Sequence, residues 1–166
     1  MVNIRRATLN DALNLSESIL QVERESDYML YGSEERHWTV DMQEKMIQKI
    51  NSEKRSNLFI AEEEHDLLGY LIIRGGSATK NKHVASIVIG IKECARGKGI
   101  GTRLFQKMEE WAIKVQLHRL ELTVIVENKA AVNLYKKMGF EIEGVKKDSL
   151  KLGERYVDEY YMAKLI

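Results

Sequence analysis

The chain has 166 residues, which is long enough for one domain with a sizeable hydrophobic core. Its 26 basic and 25 acidic residues give a net charge of +1, so composition provides no global reason to expect a nucleic acid or a membrane surface as a partner. The sequence contains one cysteine, Cys94, which excludes an internal disulfide and suits a reducing cytoplasm.

The sequence also lacks the usual signals of a membrane span or a domain boundary. No apolar run approaches the roughly 18 residues of a transmembrane helix, and the charged N-terminus has no apolar signal-peptide segment. Proline is absent, and no repeat or low-complexity tract interrupts the chain. We therefore predict a single domain over residues 1–166, located in the cytoplasm.

The first part of the chain predicts one short strand and two helices. Residues 3–7 indicate the strand, and Thr8 or Asn10 is a candidate N-cap for the helix that follows. The apolar face of that helix is predicted to contain Ala12, Leu15, Ile19 and Val22. A polar and aromatic segment over residues 25–38 leads to a second helix that begins near Thr39. Its predicted inward side chains are Met42, Met46, Ile47 and Ile50.

Three strand segments follow the second helix. Residues 57–64 and 67–75 predict a hairpin that turns at His65 and Asp66. The run over residues 84–91 is apolar at both alternating sets of positions, which is typical of a central strand buried on both faces.

The rest of the chain alternates helices and strands. After a glycine-rich stretch, a strongly amphipathic helix is predicted from Leu104, Phe105, Met108, Trp111, Ala112 and Val115. A strand over residues 119–127 carries one apolar face of Leu120, Leu122, Val124 and Val126. Asn128 is predicted to cap the next helix and Gly139 to end it, and two last strands flank Gly153. The order β-α-α-β-β-β-α-β-α-β-β predicts an α/β fold with a mixed sheet covered by helices.

The glycine-rich stretch over residues 93–105 reads ECARGKGIGTRLF. The first turn of a helix presents unpaired backbone N–H groups and a partial positive charge, and preceding glycines let a ligand approach the backbone closely. A buried strand, then Arg96 and Lys98 among glycines, then a helix therefore predicts a site for a phosphate or pyrophosphate. The alternative is that Gly97 and Gly99 only form a tight turn.

Two common phosphate-binding motifs fit this stretch poorly. A Walker A loop needs Ser or Thr after its lysine, whereas Gly99 follows Lys98. A Rossmann loop needs G-x-G-x-x-G after an N-terminal strand, whereas this sequence has G-x-G-x-G in mid-chain. Glu121 stands at about the distance of the Rossmann acidic residue, so a dinucleotide-binding protein stays open as an alternative.

A third pattern, Arg-x-x-Gly-x-Gly, is matched by Arg96, Gly99 and Gly101 directly after the strand that ends at Ile91. It resembles the acetyl-CoA loop of the GNAT superfamily of N-acetyltransferases. A second block, N-x-x-A-x-x-L-Y-x-K-x-G-F, agrees with that superfamily through Asn128, Ala131, Leu134, Tyr135, Lys137, Gly139 and Phe140. The chain is most similar to bacterial members that resemble L-amino acid N-acyltransferases.

The resemblance implies a mixed, mostly antiparallel sheet of about seven strands, with helices on both faces and two splayed central strands. It also implies acetyl-CoA as co-substrate in the gap between those strands. Main-chain groups of Ile89 and Ile91 would bind the pantetheine arm. The diphosphate would be held by the amides and charges of Arg96, Gly97, Lys98, Gly99, Ile100, Gly101 and Thr102. Further cofactor contacts are implied for Asn128, Ala131, Tyr135 and Lys137.

The implied reaction is direct attack of a neutral amine on the thioester in a ternary complex. A backbone N–H near Ile91 would stabilise the oxyanion, and Tyr135 would donate a proton to the leaving thiolate. A phenol has a reference pKa of about 10, close to the roughly 8.5 of a thiol. The alternatives are that Tyr135 only packs on its helix and that Asn128 only caps it.

The sequence leaves the general base undetermined. Many relatives carry a glutamate on the central strand, but HVASIVIGI contains no acid. Glu121, Glu159 and His83 stay open as candidates. A covalent route through Cys94 competes with an ordinary cysteine, and no metal site is predicted because the four histidines are scattered.

The acceptor surface is predicted over residues 25–38, which carry the aromatic and imidazole side chains of Tyr28, Tyr31, His37 and Trp38. Five acids lie in this segment or just before it, namely Glu23, Glu25, Asp27, Glu34 and Glu35. They would either attract a cationic amine or form a solvated rim. The expected acceptor is a small amine such as an amino acid or polyamine, or a protein N-terminus, with neither nucleic acid nor membrane as partner. A homodimer paired through the C-terminal strand is possible. A CoA-binding sensor without catalysis is the main alternative function.

Overall fold

The computed structural model describes residues 1–32 and 35–166, and the elements in these ranges follow the predicted order. The strands are β1 (Asn3–Arg6), β2 (Asn57–Glu63), β3 (Asp66–Gly75), β4 (Val84–Ile91), β5 (Arg119–Ile125), β6 (Glu141–Leu152) and β7 (Arg155–Leu165). The helices are α1 (Ala12–Glu25), α2 (Val40–Ser52), α3 (Ile100–Lys114) and α4 (Lys129–Lys137). Short 3-10 turns over Leu9–Asp11 and Glu93–Ala95 precede α1 and the glycine stretch.

The seven strands form one sheet in the order β1-β2-β3-β4-β5-β7-β6. All neighbours pair antiparallel except β4 and β5, which are parallel. Helices α3 and α4 cover one face, and α1 and α2 cover the other. The mixed, mostly antiparallel sheet with helices on both faces is thereby confirmed. No helix in the described ranges has the length and hydrophobicity needed to span a membrane.

The start of α1 is tied to the first two strands by an ionic network. Thr8 caps the 3-10 turn, and the carboxylate of Asp11 accepts a hydrogen bond from the Thr8 amide at 2.7 Å. The guanidinium of Arg5 donates to both oxygens of Asp11, at 2.7 and 2.8 Å, and to Glu62 in β2. This hydrogen bonding lowers the pKa of Asp11 below its ordinary value.

Helix α2 begins as predicted but turns a different face inward. The Thr39 hydroxyl accepts the Met42 amide at 3.1 Å, so the predicted N-cap is confirmed. Met42 is 47% exposed, whereas Gln43 is fully buried together with Ile47 and Ile50. Residues 43, 47 and 50 share one helical face, and position 42 lies about 100° away from residue 43 around the helix. The prediction of Met42 as a core residue was therefore wrong.

Two strand expectations are also corrected. Strand β4 is central, yet its Ser86 and Val88 side chains are exposed, Val88 by 50%. Helices α1 and α2 pack mainly over β2 and β3, so one face of β4 is not covered. The C-terminal strand β7 lies between β5 and β6, so both of its edges are already paired and the sheet edge is β6.

Candidate functional site

The sheet opens between its two parallel strands. Pairing of β4 with β5 joins Val84 to Arg119, Ala85 to Leu120 and Ser86 to Glu121, and then stops. Both strands continue beyond that point, to Ile91 and Ile125. A wedge-shaped gap therefore separates their C-terminal halves, which confirms the predicted splay.

The main chain of β4 presents hydrogen-bonding groups to this gap. The amide of Lys92, just after β4, donates to the Leu68 carbonyl in β3 at 2.9 Å. Because backbone groups alternate in direction along a strand, Gly90 also faces β3, and Ile89 and Ile91 face the gap. The two residues assigned to the pantetheine arm thus have main-chain groups directed toward it.

The glycine stretch connects the open end of β4 to α3 through two left-handed residues. Gly97 has φ of 72° and Gly99, the N-cap of α3, has φ of 75°. A β-carbon at either position would meet no atom within 4 Å, so the backbone angle rather than crowding explains glycine here. The sharp turn expected in the alternative interpretation is present, and it aims the first turn of α3 at the gap.

The backbone amides at this turn form a cradle. The Arg103 amide is the first in α3 to reach a helical acceptor, the Gly99 carbonyl, at 3.1 Å. Within residues 1–32 and 35–166, no backbone acceptor is found for the amides of residues 97–102. Six N–H groups and the positive end of a helix therefore lie in the turn that follows the open end of β4.

Side chains of the stretch take different positions around this cradle. Arg96 and Lys98 are exposed, and the Nε of Arg96 donates to the Ile91 carbonyl at 3.3 Å. Ile100 is buried and anchors α3 in the core, and Thr102 is half-buried. Lys98 therefore supplies charge at the mouth of the gap, and Arg96 also links the loop to the end of β4.

Gly101 brings the two sequence blocks together. A β-carbon on Gly101 would lie 2.8 Å from Cδ2 of Leu134 in α4 and 3.2 Å from Cδ1 of Ile91. Glycine at this position lets the first turn of α3 approach α4 and the end of β4 without displacing these two side chains.

Helix α4 begins at the open end of β5. The Asn128 side chain accepts the Ala131 amide at 3.3 Å, so its predicted capping role is confirmed. Ala131 is half-buried, and Lys137 is exposed in the last turn. Gly139, with φ of 91°, ends the helix as predicted.

Tyr135 lies in the core that α4 shares with α3. It is 8% exposed, and its ring centre lies 5.6 Å from that of Phe105 and 6.3 Å from that of Phe140. Burial raises the pKa of Tyr135 to about 12. The phenol of Tyr135 therefore loses its proton less readily than the reference pKa of about 10 implies.

The three candidates for the general base occupy different places. His83 lies before β4, and its carbonyl accepts the amides of His118 and Arg119 at the closed end of the gap. Glu121 is the last paired residue of β5 and accepts from Nε of Arg119 at 2.8 Å. Glu159 pairs with Ile125, beside the opened part of β5, and is buried.

The acids of the predicted acceptor surface are mostly engaged. Glu23 is buried on α1 and forms an ion pair with Arg36. The guanidinium of Arg36 stacks on two rings, 4.0 Å from the centre of Tyr31 and 4.9 Å from the centre of Trp38. Glu25 and Glu35 accept backbone amides, those of Glu93 and Gly32 respectively. Asp27 is exposed, and Glu34 lies outside the described residues. The expectation that Glu23 attracts the acceptor amine is not supported, because its charge is already paired.

The sequence did not predict one close approach at the gap, that of Tyr70 to Gly90. Tyr70 in β3 is buried opposite Gly90, and a β-carbon on Gly90 would lie 2.5 Å from the Tyr70 hydroxyl. The ring of Tyr70 therefore packs directly on the β4 backbone beside the gap. A glycine inside an otherwise apolar strand is the signal that indicates such an approach.

The structure also bears on the candidate nucleophile Cys94 and on metal binding. Cys94 is exposed in the 3-10 turn Glu93–Ala95. In the part of the chain that the structure describes, no group of three or more His, Cys, Asp or Glu residues is arranged to hold a metal ion.

Comparison with known proteins agrees with this architecture. The model of the acetyltransferase (GNAT) family matches residues 17–140. The L-amino acid N-acetyltransferase AaaT of Escherichia coli is 40% identical over 102 residues, which cover 60% of this chain and 62% of the relative. The match thus spans less than two thirds of that protein's length.

Two solved structures share the fold over nearly the whole chain. A GNAT-family acetyltransferase from Streptococcus pneumoniae superposes with a TM-score of 0.96 at 29% identity, covering 100% of this chain and 99% of the other. The acetyltransferase yncA of Salmonella typhimurium, solved with acetyl-CoA, superposes with a TM-score of 0.88 at 17% identity, covering 99% and 93%. The family model, the split sheet and the glycine cradle agree, and the chain belongs to the acetyltransferase (GNAT) family.

Proposed function

We propose that the protein is an N-acetyltransferase that transfers an acetyl group from acetyl-CoA to a primary amine. The observation that carries this proposal is the gap between β4 and β5, which ends at six backbone amides without backbone acceptors among the described residues. Such a site fits an extended chain with an anionic end, which describes the pantetheine arm and diphosphate of CoA. The acetyl-CoA bound to the Salmonella relative supports the same ligand.

Different residues around the gap bind different parts of acetyl-CoA. Main-chain groups of Ile89 and Ile91 pair with the pantetheine amides as a neighbouring strand would. The amides from Gly97 to Thr102 hold the diphosphate, and Lys98 adds charge at the mouth. Further contacts come from the face of α4 formed by Asn128, Ala131, Tyr135 and Lys137.

The reaction follows from this placement. A neutral amine attacks the thioester carbon, and a main-chain N–H near Ile91 stabilises the oxyanion. Tyr135 then donates its proton to the departing thiolate. With a pKa of about 12 for the phenol, donation to a thiolate of ordinary pKa near 8.5 is uphill by roughly 5 kcal/mol. The same dry surroundings destabilise the thiolate and raise its proton affinity, which narrows this difference.

We infer that the acceptor is a small primary amine, with L-amino acids as the first class to test. The named activity of the E. coli relative supports this class. A cleft between α1 and the segment before α2 is lined by Leu20, Arg24, Arg36, His37, Trp38 and Thr39. Arg36 is already paired with Glu23, so Arg24 is the cation of this cleft that would bind an acceptor carboxylate and disfavour a polyamine.

The experiment that tests this function is a thiol-release assay with acetyl-CoA and a panel of L-amino acids, polyamines and peptides with free N-termini. We expect release with at least one amino acid, together with a mass increase of one acetyl group on the acceptor. Binding of acetyl-CoA without release for every amine would instead support the CoA-sensor alternative, which the missing strand glutamate favours.

We also infer that residues 1–166 form one domain, that the protein works in the cytoplasm, and that it forms a homodimer. The single continuous sheet supports one domain, and the free cysteine suits a reducing compartment. Strand β6 is an unpaired edge that exposes Ile142 and Val145, so pairing of two β6 edges is the route to a dimer that fits this fold. A monomeric mass by light scattering at working concentration would exclude the dimer.

A further inference from the structure

The face of the sheet toward α1 and α2 stays open over the central strands. Side chains opposite one another in paired strands point to the same face, so the register places Ser86, Val88, Thr123 and Tyr161 together there. All four are exposed, which defines an open face across β4, β5 and β7. An acceptor amine can therefore reach β5 and β7 from this side.

Glu159 lies on this open face at the level where the strands have separated. It pairs with Ile125, four residues beyond Glu121, the last residue of β5 that pairs with β4. Four residues beyond Ser86, the partner of Glu121, β4 reaches Gly90. Ile125 of β5 therefore stands at about the level of Gly90 across the gap, and Glu159 lies next to Ile125, on the side of β5 away from the gap.

The carboxylate of Glu159 is buried, and its two contacts fall on one oxygen. The Ser149 hydroxyl donates to Oε1 at 2.9 Å, and Nζ of Lys146 lies 3.6 Å from the same atom. The side chain is only 10% exposed. Among the residues that the structure describes, no hydrogen bond is made to Oε2. Oε2 of this otherwise buried side chain reaches the surface, so a water or a ligand on the open face can contact it.

An irregularity of β6 creates this arrangement. The β6–β7 register shifts between Lys146 and Leu150, where Asp148 has φ of 49°. The extra residues bring Ser149 to Glu159, whereas the regular pairing of Lys146 with Glu159 places the ammonium on the same side. Irregularities of this kind redirect side chains at functional sites.

We propose that Glu159 is the general base that deprotonates the acceptor ammonium through Oε2, directly or through one water. This proposal rests on the acetyltransferase function proposed above. His83 is at the closed end of the gap, and Glu121 lies where β4 and β5 are still paired, whereas Glu159 lies beside the opened part of β5.

The proton balance of the reaction is then complete. The ammonium gives one proton to Oε2, and the neutral amine forms the N–C bond to the thioester carbon. The C–S bond breaks, and the amide nitrogen and Oε2 each release a proton to solvent. Tyr135 protonates the thiolate and recovers its proton from solvent. One acetyl-CoA and one ammonium yield one amide, one CoA thiol and one released proton.

Side chains from three strands surround the carboxylate of Glu159. On β6 these are Lys146 and Ser149, on β7 the neighbouring Tyr161, and on β5 the apolar Ile125. The Lys146 ammonium lies 5.7 Å from the centre of the Tyr161 ring, which places it over the open face.

The test compares Glu159→Gln with the matched control Glu121→Gln across pH 6 to 9, using the best acceptor of the parent protein. We expect Glu159→Gln to lower kcat/KM for the amine about 100-fold or more at pH 7. We also expect kcat/KM of this variant to rise tenfold per pH unit, since only the free amine then reacts. Acetyl-CoA affinity should be unchanged, and Glu121→Gln should retain parental activity.

A second variant tests the assignment without removing the carboxylate. Glu159→Asp should recover part of the activity that Glu159→Gln loses, because aspartate keeps a carboxylate at this position. Equal losses in Glu159→Gln and Glu121→Gln, or a parental pH profile in Glu159→Gln, would overturn the assignment. A parent protein that binds acetyl-CoA but acetylates no amine would instead overturn the proposed function, and this inference with it.

Discussion

The side chain of Tyr135 has both a packing role in the core and a proposed role as proton donor. The ring is part of an aromatic cluster with Phe105 and Phe140, and only 8% of the residue is exposed. Burial raises its pKa to about 12, so the phenol is fully protonated at neutral pH. The phenol therefore donates its proton only when a thiolate forms within hydrogen-bonding distance of the hydroxyl.

A Tyr135→Phe variant separates the two roles, because phenylalanine keeps the ring and removes the hydroxyl. We expect the melting temperature to change little and kcat to fall about 100-fold. The measurement is thiol release at saturating acetyl-CoA, with KM for acetyl-CoA as the check on binding. Turnover equal to that of the parent would mean that Tyr135 only packs.

At the scale of single elements, the turn before α3 depends on backbone conformation. Gly97 and Gly99 adopt positive φ in open surroundings, so a side chain there meets no neighbour but strains the backbone. Under the proposed function, the first helical amides reach the diphosphate only if that turn is made. Gly153, in the β6–β7 hairpin, has the same features but lies in another part of the chain. Its φ is 59°, and a β-carbon there would meet no atom within 4 Å.

Gly99 and Gly153 form a matched pair. Gly99→Ala and Gly153→Ala should each lower the free energy of unfolding by about 1 kcal/mol, the usual strain of alanine in the left-handed region. Only Gly99→Ala should also weaken acetyl-CoA binding, by about tenfold or more, because it disturbs the amide cradle. Calorimetric titration with acetyl-CoA measures this difference. Equal affinities in the two variants would contradict a diphosphate site at residues 97–102.

The junction of β1, β2 and α1 is the second element-scale case. Arg5 joins Asp11 and Glu62, and Asp11 also accepts the Thr8 amide. Since the pKa of Asp11 is lowered, its stabilisation is complete above the ordinary carboxyl pKa of about 4 and is lost as pH falls through the folded-state value.

We expect Asp11→Asn to lower the free energy of unfolding by about 2 kcal/mol at pH 7, through loss of charge-assisted hydrogen bonds. The difference from the parent should shrink below about pH 4, where the parental carboxylate takes up a proton. Urea denaturation at pH 7 and pH 3 measures both. Glu143→Gln, which breaks the exposed pair with Arg119, is the control and should have a much smaller effect. A constant difference at both pH values would show that Asp11 acts without its charge.

For the molecule as a whole, the ligand specificity of the gap separates the candidate functions. A ligand that binds only the folded state at 100 times its dissociation constant stabilises it by about 2.7 kcal/mol. For a chain of this size we expect acetyl-CoA and CoA to raise the melting temperature by roughly 5 to 10 °C. NAD and ATP should produce much smaller shifts in the same fluorimetric assay. A shift with NAD alone would support the dinucleotide-binding alternative.

The sequence by itself was sufficient for the order of elements, for the caps at Thr39 and Asn128, and for the glycine turn before α3. These are local features, since helical periodicity, capping side chains and glycine conformations act within a few residues. The family resemblance rested on the same local blocks. Local patterns did not reveal that Met42 faces solvent, because the inward face of α2 depends on how the helix docks on β2.

Only the tertiary structure decided which distant groups meet at the gap. The point where β4 and β5 part, the contact of Gly101 with Leu134, and the packing of Tyr70 on Gly90 join segments far apart in the chain. The candidates for the general base were equivalent in sequence, and strand register alone placed Glu159 beside the opened strand. The burial that raises the pKa of Tyr135 likewise comes from Phe105 and Phe140 on other elements. Desolvation and strand register are properties of the packed chain, so a linear pattern can name such residues but cannot assign their positions.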